Sequence, residues 1–209
     1  NEDLFEFKTD SSVTLEEDLV RRDLTINAMA IAEEDVAPPE EMDLDSVTIH
    51  DKFNGREDIK NKTLRHVSEA FSEDPLRVLR IGKFLSRLPE FTVAEETIDI
   101  ARETAPKLQY VHNQRFFQEV ESMFKKAKKP SRFFKFLLKV DALRFVFPEL
   151  VQLNNVPAGP EKYHQEGDSF THTMLVLDEI TALESIDTRL QWAALFHDIG
   201  KIRTPEEEY

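Results

Sequence analysis

The stretch EDPLRVLR at residues 73–80 places an acid, a proline and two arginines at the predicted start of a helix. Asp74 can cap this helix, and Pro75 suits its first position because proline lacks the N–H that a first turn leaves unbonded. Arg77 and Arg80 are three residues apart, so they share one helix face. Carboxylates accept hydrogen bonds and guanidinium groups donate them. The pattern favours a site for a polar or anionic partner; a capped helix with solvent-exposed arginines is the alternative.

Two further short motifs combine cations with acids and amides. The first, EEDLVRRDLTINAMA at residues 16–30, lies on a predicted helix and its approach, and it contains Arg22, Asp23 and Asn27. The second, NQRFFQEVE at residues 113–121, places Arg115 and Glu119 four residues apart on one helix face. Each motif alone is also typical of surface ion pairs, so the order in which they occur carries more information than any one of them.

A second kind of chemistry is indicated near the end of the chain by His164, His172 and the adjacent His197 and Asp198. We expect His172 to begin one amphipathic helix and His197 to end another, so antiparallel packing would bring these side chains to one metal ion. Imidazole and carboxylate ligands suit Mn, Ni, Co, Mg or Zn. The alternative is that the histidines are structural.

A basic tract at residues 125–139 interleaves seven cations with three phenylalanines. Such a tract predicts contact with a nucleic-acid backbone, or else a solvated helix face whose apolar residues turn inward. The candidate contact residues are Lys125, Lys126, Lys128, Lys129 and Arg132.

Composition limits the remaining possibilities. The 209 residues are 40% hydrophobic and include no cysteine, which excludes disulfides, thiolate metal sites and a cysteine nucleophile. No apolar run approaches the roughly 20 residues of a membrane span, and no signal peptide is visible, so we expect a cytoplasmic protein without a membrane partner. The net charge of −14 means that any nucleic acid must bind a local basic patch.

The predicted elements fall into two regimes. Short β-branched and aromatic runs predict strands at residues 5–14, 31 and 47–50, around one helix at 19–30. The pattern then becomes helical, with helices predicted at 76–88, 94–105, 113–126, 131–139, 172–185 and 188–197. These elements predict an α/β remnant followed by a mostly α-helical body, with a division near residues 157–160.

Taken in this order, the motifs resemble those of the class II (bacterial-type) tRNA nucleotidyltransferases, the CCA-adding enzymes, and of the related bacterial poly(A) polymerases. The resemblance extends from about residue 13 to the end of the chain and is closest to CCA-adding enzymes that carry an HD domain. It implies an α+β fold. Residues 1–55 would be the C-terminal part of a nucleotidyltransferase palm, 56–156 a mainly α-helical neck and body that binds the nucleotide base and tRNA, and 157–209 the start of an α-helical HD phosphohydrolase domain.

The resemblance also implies roles for single residues. In this family the RRD arginine and aspartate bind the sugar and phosphates of the nucleotide, and the EDxxR helix reads the base and carries cations toward the phosphates. The matching nucleotide-binding residues are Arg22, Asp23, Asn27, Asp74, Arg77, Arg80, Lys83, Arg115 and Glu119. Lys83 replaces the more usual arginine, and lysine makes no bidentate contact with phosphate. In the HD superfamily, residues placed like His172, His197 and Asp198 bind a divalent ion.

The family's catalytic turn and the acid pair that holds two metal ions have no match before Phe7. We therefore expect the polymerase carboxylates to lie upstream of Asn1, with Mg²⁺ for nucleotidyl transfer bound outside this chain. On this expectation the chain alone transfers no nucleotide. The HD site would also take a further aspartate from beyond Tyr209.

The expected function is addition or repair of the tRNA 3'-terminal CCA from CTP and ATP without a nucleic-acid template, joined to a metal-dependent HD phosphohydrolase. The expected partners are the tRNA 3' end, CTP and ATP, and the expected state is a monomer or weak homodimer. One alternative is a poly(A) polymerase that adds AMP to RNA 3' ends. Another is a stand-alone HD phosphohydrolase or a noncatalytic RNA-binding body.

Overall fold

In a computed structural model, the structure of the chain is described for residues 13–36, 38, 40, 46–160, 162, 165–183 and 186–205. The chain divides into two compact units, Asn1–Glu73 and Asp74–Tyr209. The described residues are mostly helical, with two short strands. The domain boundaries expected at residues 55/56 and 156/157 remain predictions.

The described part of the first unit contains helix α1 (Leu15–Val20), helix α2 (Gly55–Lys60) and strand β1 (Thr63–Leu64), with single-turn 3-10 helices between them. A capping box starts α1: the Glu17 N–H donates to Thr14 Oγ1, and the Thr14 N–H donates to Glu17 Oε2. The prediction of a helix at residues 19–30 is therefore wrong. The cap starts the helix at Leu15, and the helix ends at Val20. The chain then leaves the helix at Arg21 and forms a 3-10 turn at Thr25–Asn27.

The strands expected in this unit do not form in its described residues. Residues 5–12 lie outside the described part, and Ile31 is in no strand. The segment 47–50 makes one isolated bridge, in which the His50 N–H donates to the Ala30 carbonyl at 2.8 Å and the Ala30 N–H donates to the His50 carbonyl at 3.1 Å. β-Branched residues favour extended backbone, but a strand also needs a continuous partner, and pairing here is limited to one residue.

A buried carboxylate ties the first unit together. Asp58 on α2 is 6% exposed and accepts hydrogen bonds from Thr25 Oγ1 at 2.7 Å and Arg65 Nε at 3.2 Å. Leu24 and Phe71 are fully buried in the same unit. Because a buried charge is tolerated only when it is paired and hydrogen-bonded, this cluster fixes the turn that follows the RRD motif.

The second unit is a helical body. Its elements are α3 (Leu76–Arg87), β2 (Thr92–Val93), α4 (Glu95–Thr104), α5 (Asn113–Phe124), α6 (Ser131–Lys139), α7 (Leu143–Val146), α8 (Pro148–Gln152), α9 (Ser169–Thr181) and α10 (Thr188–Phe196). The six helices expected here are confirmed, with ends within two residues for all but one. That one, α9, begins and ends three to four residues earlier than expected, because Asp168 accepts the Thr171 N–H and caps it.

The core of this unit forms where α3 packs on α6. Phe133, Phe134 and Leu137 of α6 are fully buried. Gly82 permits close approach, since a Cβ at this position would lie 2.8 Å from a ring carbon of Phe133. The phenylalanines of the basic tract therefore face inward.

Helices α9 and α10 belong to the same compact unit as α3 to α8. Asp178 of α9 accepts hydrogen bonds from the Ser131 backbone N–H at 2.9 Å and the Ser131 hydroxyl at 2.7 Å. Glu121 of α5 accepts from Trp192 Nε1 and Thr188 Oγ1 of α10, both at 2.9 Å. Among the described residues, no helix has the length and apolar character needed to cross a membrane.

Candidate functional site

The start of α3 places an acid and two arginines as the sequence predicted. Asp74 Oδ1 accepts the backbone N–H of Leu76 at 3.0 Å, and Pro75 has a helical backbone with φ −62° and ψ −22°. Asp74 and Arg77 are half-buried, whereas Arg80 is exposed. A carboxylate has two oxygens, so Asp74 can cap the helix and still accept a hydrogen bond from a ligand.

An ion pair connects α3 to α5. Lys83 Nζ lies 2.7 Å from Glu119 Oε2 and 3.3 Å from the Ser122 hydroxyl. The Lys83 and Glu119 side chains are only 16% and 24% exposed. Arg115, one turn before Glu119, is exposed. The structure thus brings two of the predicted nucleotide-binding residues into direct contact with each other.

In the first unit, the RRD residues lie in contrasting surroundings. Arg22 is exposed, and its Nη2 lies 2.6 Å from Asp18 Oδ2. Asp23 is 5% exposed, and its Oδ1 accepts from the Leu24 N–H at 2.8 Å and Asn27 Nδ2 at 3.1 Å. The Asp23 carboxylate therefore orders the turn that carries Asn27, while the Arg22 guanidinium lies at the surface.

The basic tract presents its cations outward. Lys125, Lys126, Lys128 and Lys129 are exposed. The backbone N–H groups of Lys128 and Lys129 both donate to the Ser86 carbonyl, at 2.8 and 2.9 Å. Arg132 Nη2 donates to the Phe91 carbonyl at 2.7 Å. These backbone hydrogen bonds therefore hold the loop before α6 against the end of α3.

A cleft of about 420 Å³ lies beside α6. Arg132, Lys135 and Lys139 line it from α6, together with Glu95 and an apolar floor that includes Phe136. Lys135 and Lys139 are exposed and four residues apart, so their charges repel each other along the helix. An anionic partner in the cleft would relieve this repulsion.

The predicted metal ligands in the described part of the chain come together. His172 lies on α9, and His197 with Asp198 directly follows α10. One ligand atom from each of the three lies within 4.8 Å of the others. The two imidazole centroids are 5.5 Å apart, and His197 Nε2 is 3.4 Å from Asp198 Oδ2. His164 lies outside the described residues.

Each of these three side chains has its own orienting partner. His172 Nδ1 is 2.7 Å from Glu166 Oε1, and His197 Nδ1 is 2.8 Å from the Ala194 carbonyl. Lys201 Nζ donates to Asp198 Oδ2 at 2.9 Å and to the Ala158 carbonyl at 2.6 Å. Metal-binding histidines are usually held in this way through the ring nitrogen that does not face the metal. The donor set of two imidazoles and one carboxylate fits a divalent transition metal.

Sequence reasoning missed four residues of these sites. Lys135 and Lys139 belong to the basic tract. Lys135 follows Arg132 by three residues and Lys139 follows Lys135 by four, a spacing that could have placed all three on one face of the predicted helix. Lys201 follows Asp198 by three residues in HDIGK. Glu166 had no visible signal, because it precedes α9 and reaches His172 only through the turn between them.

Comparisons with known proteins agree with this architecture. A family model described as the poly(A) polymerase head domain matches residues 2–65, and one described as the probable RNA and SrmB-binding site of polymerase A matches residues 90–153. The multifunctional CCA protein of Mannheimia succiniciproducens is 44% identical over 203 residues, which cover 93% of this chain and 45% of that protein. The protein of the same name from Herminiimonas arsenicoxydans is 44% identical over 205 residues, covering 97% of this chain and 46% of that protein.

Solved structures give the same relationship. The Thermotoga maritima CCA-adding enzyme complexed with tRNA is 26% identical, with a TM-score of 0.54, over 88% of this chain and 44% of that one. A CCA-adding enzyme in complex with ATP is 25% identical, with a TM-score of 0.55, over 90% of this chain and 44% of that one. The chain spans about half the length of the curated relatives it matches. From its motifs, fold and relatives, it belongs to the family of class II CCA-adding tRNA nucleotidyltransferases and poly(A) polymerases.

Proposed function

We propose that this chain is the nucleotide-selecting and tRNA-contacting part of an enzyme that adds or repairs the 3'-terminal CCA of tRNA from CTP and ATP. The observation that carries this proposal is the acid and arginine at the start of α3, in a chain 44% identical to multifunctional CCA proteins. Addition of C and A without a nucleic-acid template requires protein groups that accept these two bases and refuse G and U.

Asp74 and Arg77 have the chemistry for this selection. Cytosine and adenine both present an exocyclic amino donor beside an unprotonated ring nitrogen. Asp74 accepts from the amino group and Arg77 donates to the ring nitrogen, while their i,i+3 spacing holds both groups on one edge of the helix. The Leu76 N–H that bonds Asp74 Oδ1 fixes the carboxylate for this task.

The same pair rejects the other two bases. Uracil and guanine place a carbonyl opposite the Asp74 carboxylate and an N–H opposite the Arg77 guanidinium. Each mismatch leaves a charged group without its partner at a cost of about 1.5 to 3 kcal/mol. For both together the discrimination is on the order of a hundredfold or more.

The other predicted residues bind the rest of the nucleotide. Arg80 lies one turn beyond Arg77 and is exposed, so it can reach the triphosphate. Arg22 binds the phosphates, and the Asp23 carboxylate accepts from a sugar hydroxyl while it holds Asn27. Mg²⁺ supplies charge neutralisation for nucleotidyl transfer when bound. A phosphate contact by Lys83 has to compete with Glu119.

We assign the tRNA contact to the basic tract and the cleft beside it. The acceptor stem of tRNA carries a phosphate at every nucleotide, and the basic tract supplies both the exposed lysines before α6 and the three cations that line the cleft. In a chain with a net charge of −14, this local surface is what makes binding to a polyanion favourable.

The decisive experiment uses tRNA that lacks its CCA end. The complete gene product is incubated with this tRNA, CTP, ATP and Mg²⁺, and the products are sequenced. Addition of C, C and A, followed by a stop, supports the proposal. Extension with ATP alone into a long run of A would instead support the poly(A) polymerase alternative. No extension of the tRNA at all would support the alternative of a noncatalytic RNA-binding body.

We also propose a metal-dependent phosphohydrolase site of the HD type at His172, His197 and Asp198. The convergence of these side chains within 4.8 Å, each with its own orienting partner, favours this second activity. His172, His197 and Asp198 would hold a divalent ion, which would supply an activated water for attack on a phosphoester. The chain's own contribution is to hold the two imidazoles and the carboxylate in place around that ion.

The test of this second activity separates it from nucleotide addition. In the complete gene product, His197→Ala should abolish hydrolysis of a phosphoester such as bis-p-nitrophenyl phosphate in the presence of Ni²⁺, Mn²⁺ or Co²⁺. Addition of CCA should continue at the wild-type rate. Loss of both activities together would indicate a folding defect and a structural role for the histidine.

A further inference from the structure

We infer that Glu166 is a positioning residue of the HD-type site: it holds His172 through Nδ1, so that Nε2 is the nitrogen that faces the metal. This inference rests on the proposed metal site. Its basis is the 2.7 Å contact between Glu166 Oε1 and His172 Nδ1. Both side chains are largely buried, with exposures of 17% and 23%, so the contact is shielded from competing water.

The local backbone explains how Glu166 reaches a residue six positions later. Gly167 has φ +92°, a conformation that glycine adopts at little cost and other residues avoid. Asp168 then caps α9 by accepting the Thr171 N–H at 2.8 Å. The Ala158 N–H donates to the Gly167 carbonyl at 3.0 Å, which fixes the turn to the preceding segment. The turn and the cap therefore direct Glu166 to the first turns of the helix that carries His172.

The chemical consequence follows from the two nitrogens of imidazole. A neutral imidazole carries one proton, and an acceptor at Nδ1 selects the tautomer with the proton on Nδ1. The lone pair is then on Nε2, the nitrogen a metal would take. A carboxylate partner also makes the imidazole a more basic ligand.

Glu166 differs from the other orienting groups of the cluster. His197 is held by a backbone carbonyl, which is neutral and cannot be removed by substitution of a side chain. Asp198 is held by Lys201, a cation that opposes a bound metal ion. Among the three partners, Glu166 alone adds negative charge beside the site, so it should contribute to affinity as well as orientation.

Titration calorimetry with Co²⁺ on the complete gene product provides the test. Glu166→Leu removes both the acceptor and the charge, and we expect about a 10- to 100-fold weaker Kd. Glu166→Gln keeps an acceptor for Nδ1 and loses only the charge, so we expect an intermediate Kd. Glu179→Gln is the matched control, since it removes an equal charge from an exposed position on the same helix.

A second measurement reads the tautomer directly without metal. Two-bond ¹H–¹⁵N spectra above pH 8 should show the proton of His172 on Nδ1 in the wild type and in Glu166→Gln. In Glu166→Leu the proton should move toward Nε2. Thermal unfolding of each variant checks that the protein remains folded, and Glu166→Ala, which also removes the acceptor, replaces Glu166→Leu if that variant does not fold.

The outcomes separate the inference from the site on which it rests. A wild-type protein that binds no Co²⁺, or binds it equally well after His197→Ala, overturns the proposed metal site. A wild-type protein that binds Co²⁺ through His197 but is unaffected by both Glu166 substitutions overturns the role of Glu166 alone. Weakened binding by Glu166→Leu with the proton of His172 still on Nδ1 would reduce Glu166 to an electrostatic contribution and reject its orienting role.

Discussion

Lys83 Nζ lies 2.7 Å from Glu119 Oε2, and this ion pair joins α3 to α5. Lys83 follows the exposed Arg80 by three residues on α3. Because both side chains are largely buried, neither charge is fully solvated when its partner is removed. The pair therefore holds α3, which Asp74 caps, against the helix that carries Arg115. It has a structural task in addition to any contact with the nucleotide.

We expect Lys83→Met and Glu119→Gln each to lower the free energy of unfolding by about 1–2 kcal/mol, since each leaves one charge without its partner. The double variant should lose less than the sum, which chemical denaturation would measure as a coupling energy. The matched control is the pair Lys60–Glu57, which is 3.9 Å apart with side chains 78% and 60% exposed. A coupling energy for Lys83–Glu119 as small as that of the exposed control would refute the structural role.

Base selection gives the second prediction. In the complete gene product, Asp74→Ala should lower kcat/KM for CTP and ATP steeply and raise the relative use of UTP and GTP, because the acceptor for the amino group is lost. Single-nucleotide incorporation with each of the four triphosphates measures this ratio. Asp74→Asn keeps the helix cap and separates selection from folding. Wild-type use of CTP and ATP, with no misincorporation, would contradict base reading by this helix.

Binding of tRNA gives the third prediction. Replacing Lys125, Lys128 and Lys129 with Gln should weaken tRNA binding and reduce the slope of log K against log salt by about one unit per lost phosphate contact. The same change at Lys135 and Lys139 tests the cleft. CTP binding should remain unchanged in both variants.

The control for this prediction removes two exposed cations elsewhere in the second unit, by Lys107→Gln with Arg144→Gln. If loss of charge in general were the cause, the control would weaken tRNA binding as much as the Lys135 and Lys139 variant, which also loses two cations. A salt slope unchanged from wild type in both basic variants would mean that the tract is a solvated helix face whose apolar residues support the core.

The sequence was a good guide to α3 and α6 because helical periodicity, a capping acid and the inward phenylalanines act over one or two turns. It was a poor guide to the first unit. There the capping box at Thr14 started the helix earlier than apolar spacing suggested, the helix ended at Val20, and extended segments such as 47–50 lacked a continuous partner. Strand formation depends on distant backbone, which a local pattern does not contain.

The candidate metal site shows the same difference between local signals, which a sequence contains, and contacts that depend on the folded backbone. His172, His197 and Asp198 could be predicted because each lies at the end of a recognisable helix, and antiparallel packing brings such ends together. Glu166 could not, since its contact depends on the φ of +92° at Gly167, which a sequence pattern does not specify. The Glu119–Lys83 pair likewise joins residues 36 positions apart, whereas spacing alone suggested Arg115 as the partner.

Glu121 on α5 provides a pH-sensitive link to α10. Its carboxylate accepts hydrogen bonds from Trp192 Nε1 and Thr188 Oγ1, each at 2.9 Å. These donors, Trp192 first and Thr188 second, hold the pKa of Glu121 below its ordinary value of 4.5, against the opposing effect of desolvation. The chain contains a single tryptophan, so the fluorescence of Trp192 reports on this contact.

The fourth prediction is the acid response of this link. Because the pKa of Glu121 is lower in the folded state than in the unfolded state, its stabilising contribution is fully present above pH 4.5 and is lost as pH falls through the folded pKa. We therefore expect Glu121→Gln to be less stable than wild type by about 1 kcal/mol at neutral pH, with a difference that narrows below pH 4.5. Denaturation curves at several pH values measure this difference.

The emission of Trp192 in the wild type should change with a midpoint below pH 4.5, and the Gln variant should lack this transition. Glu103→Gln, an exposed site on α4, is the charge control. A stability gap that stayed constant from pH 7 to pH 3 would show that Glu121 contributes through packing and not through its ionised form.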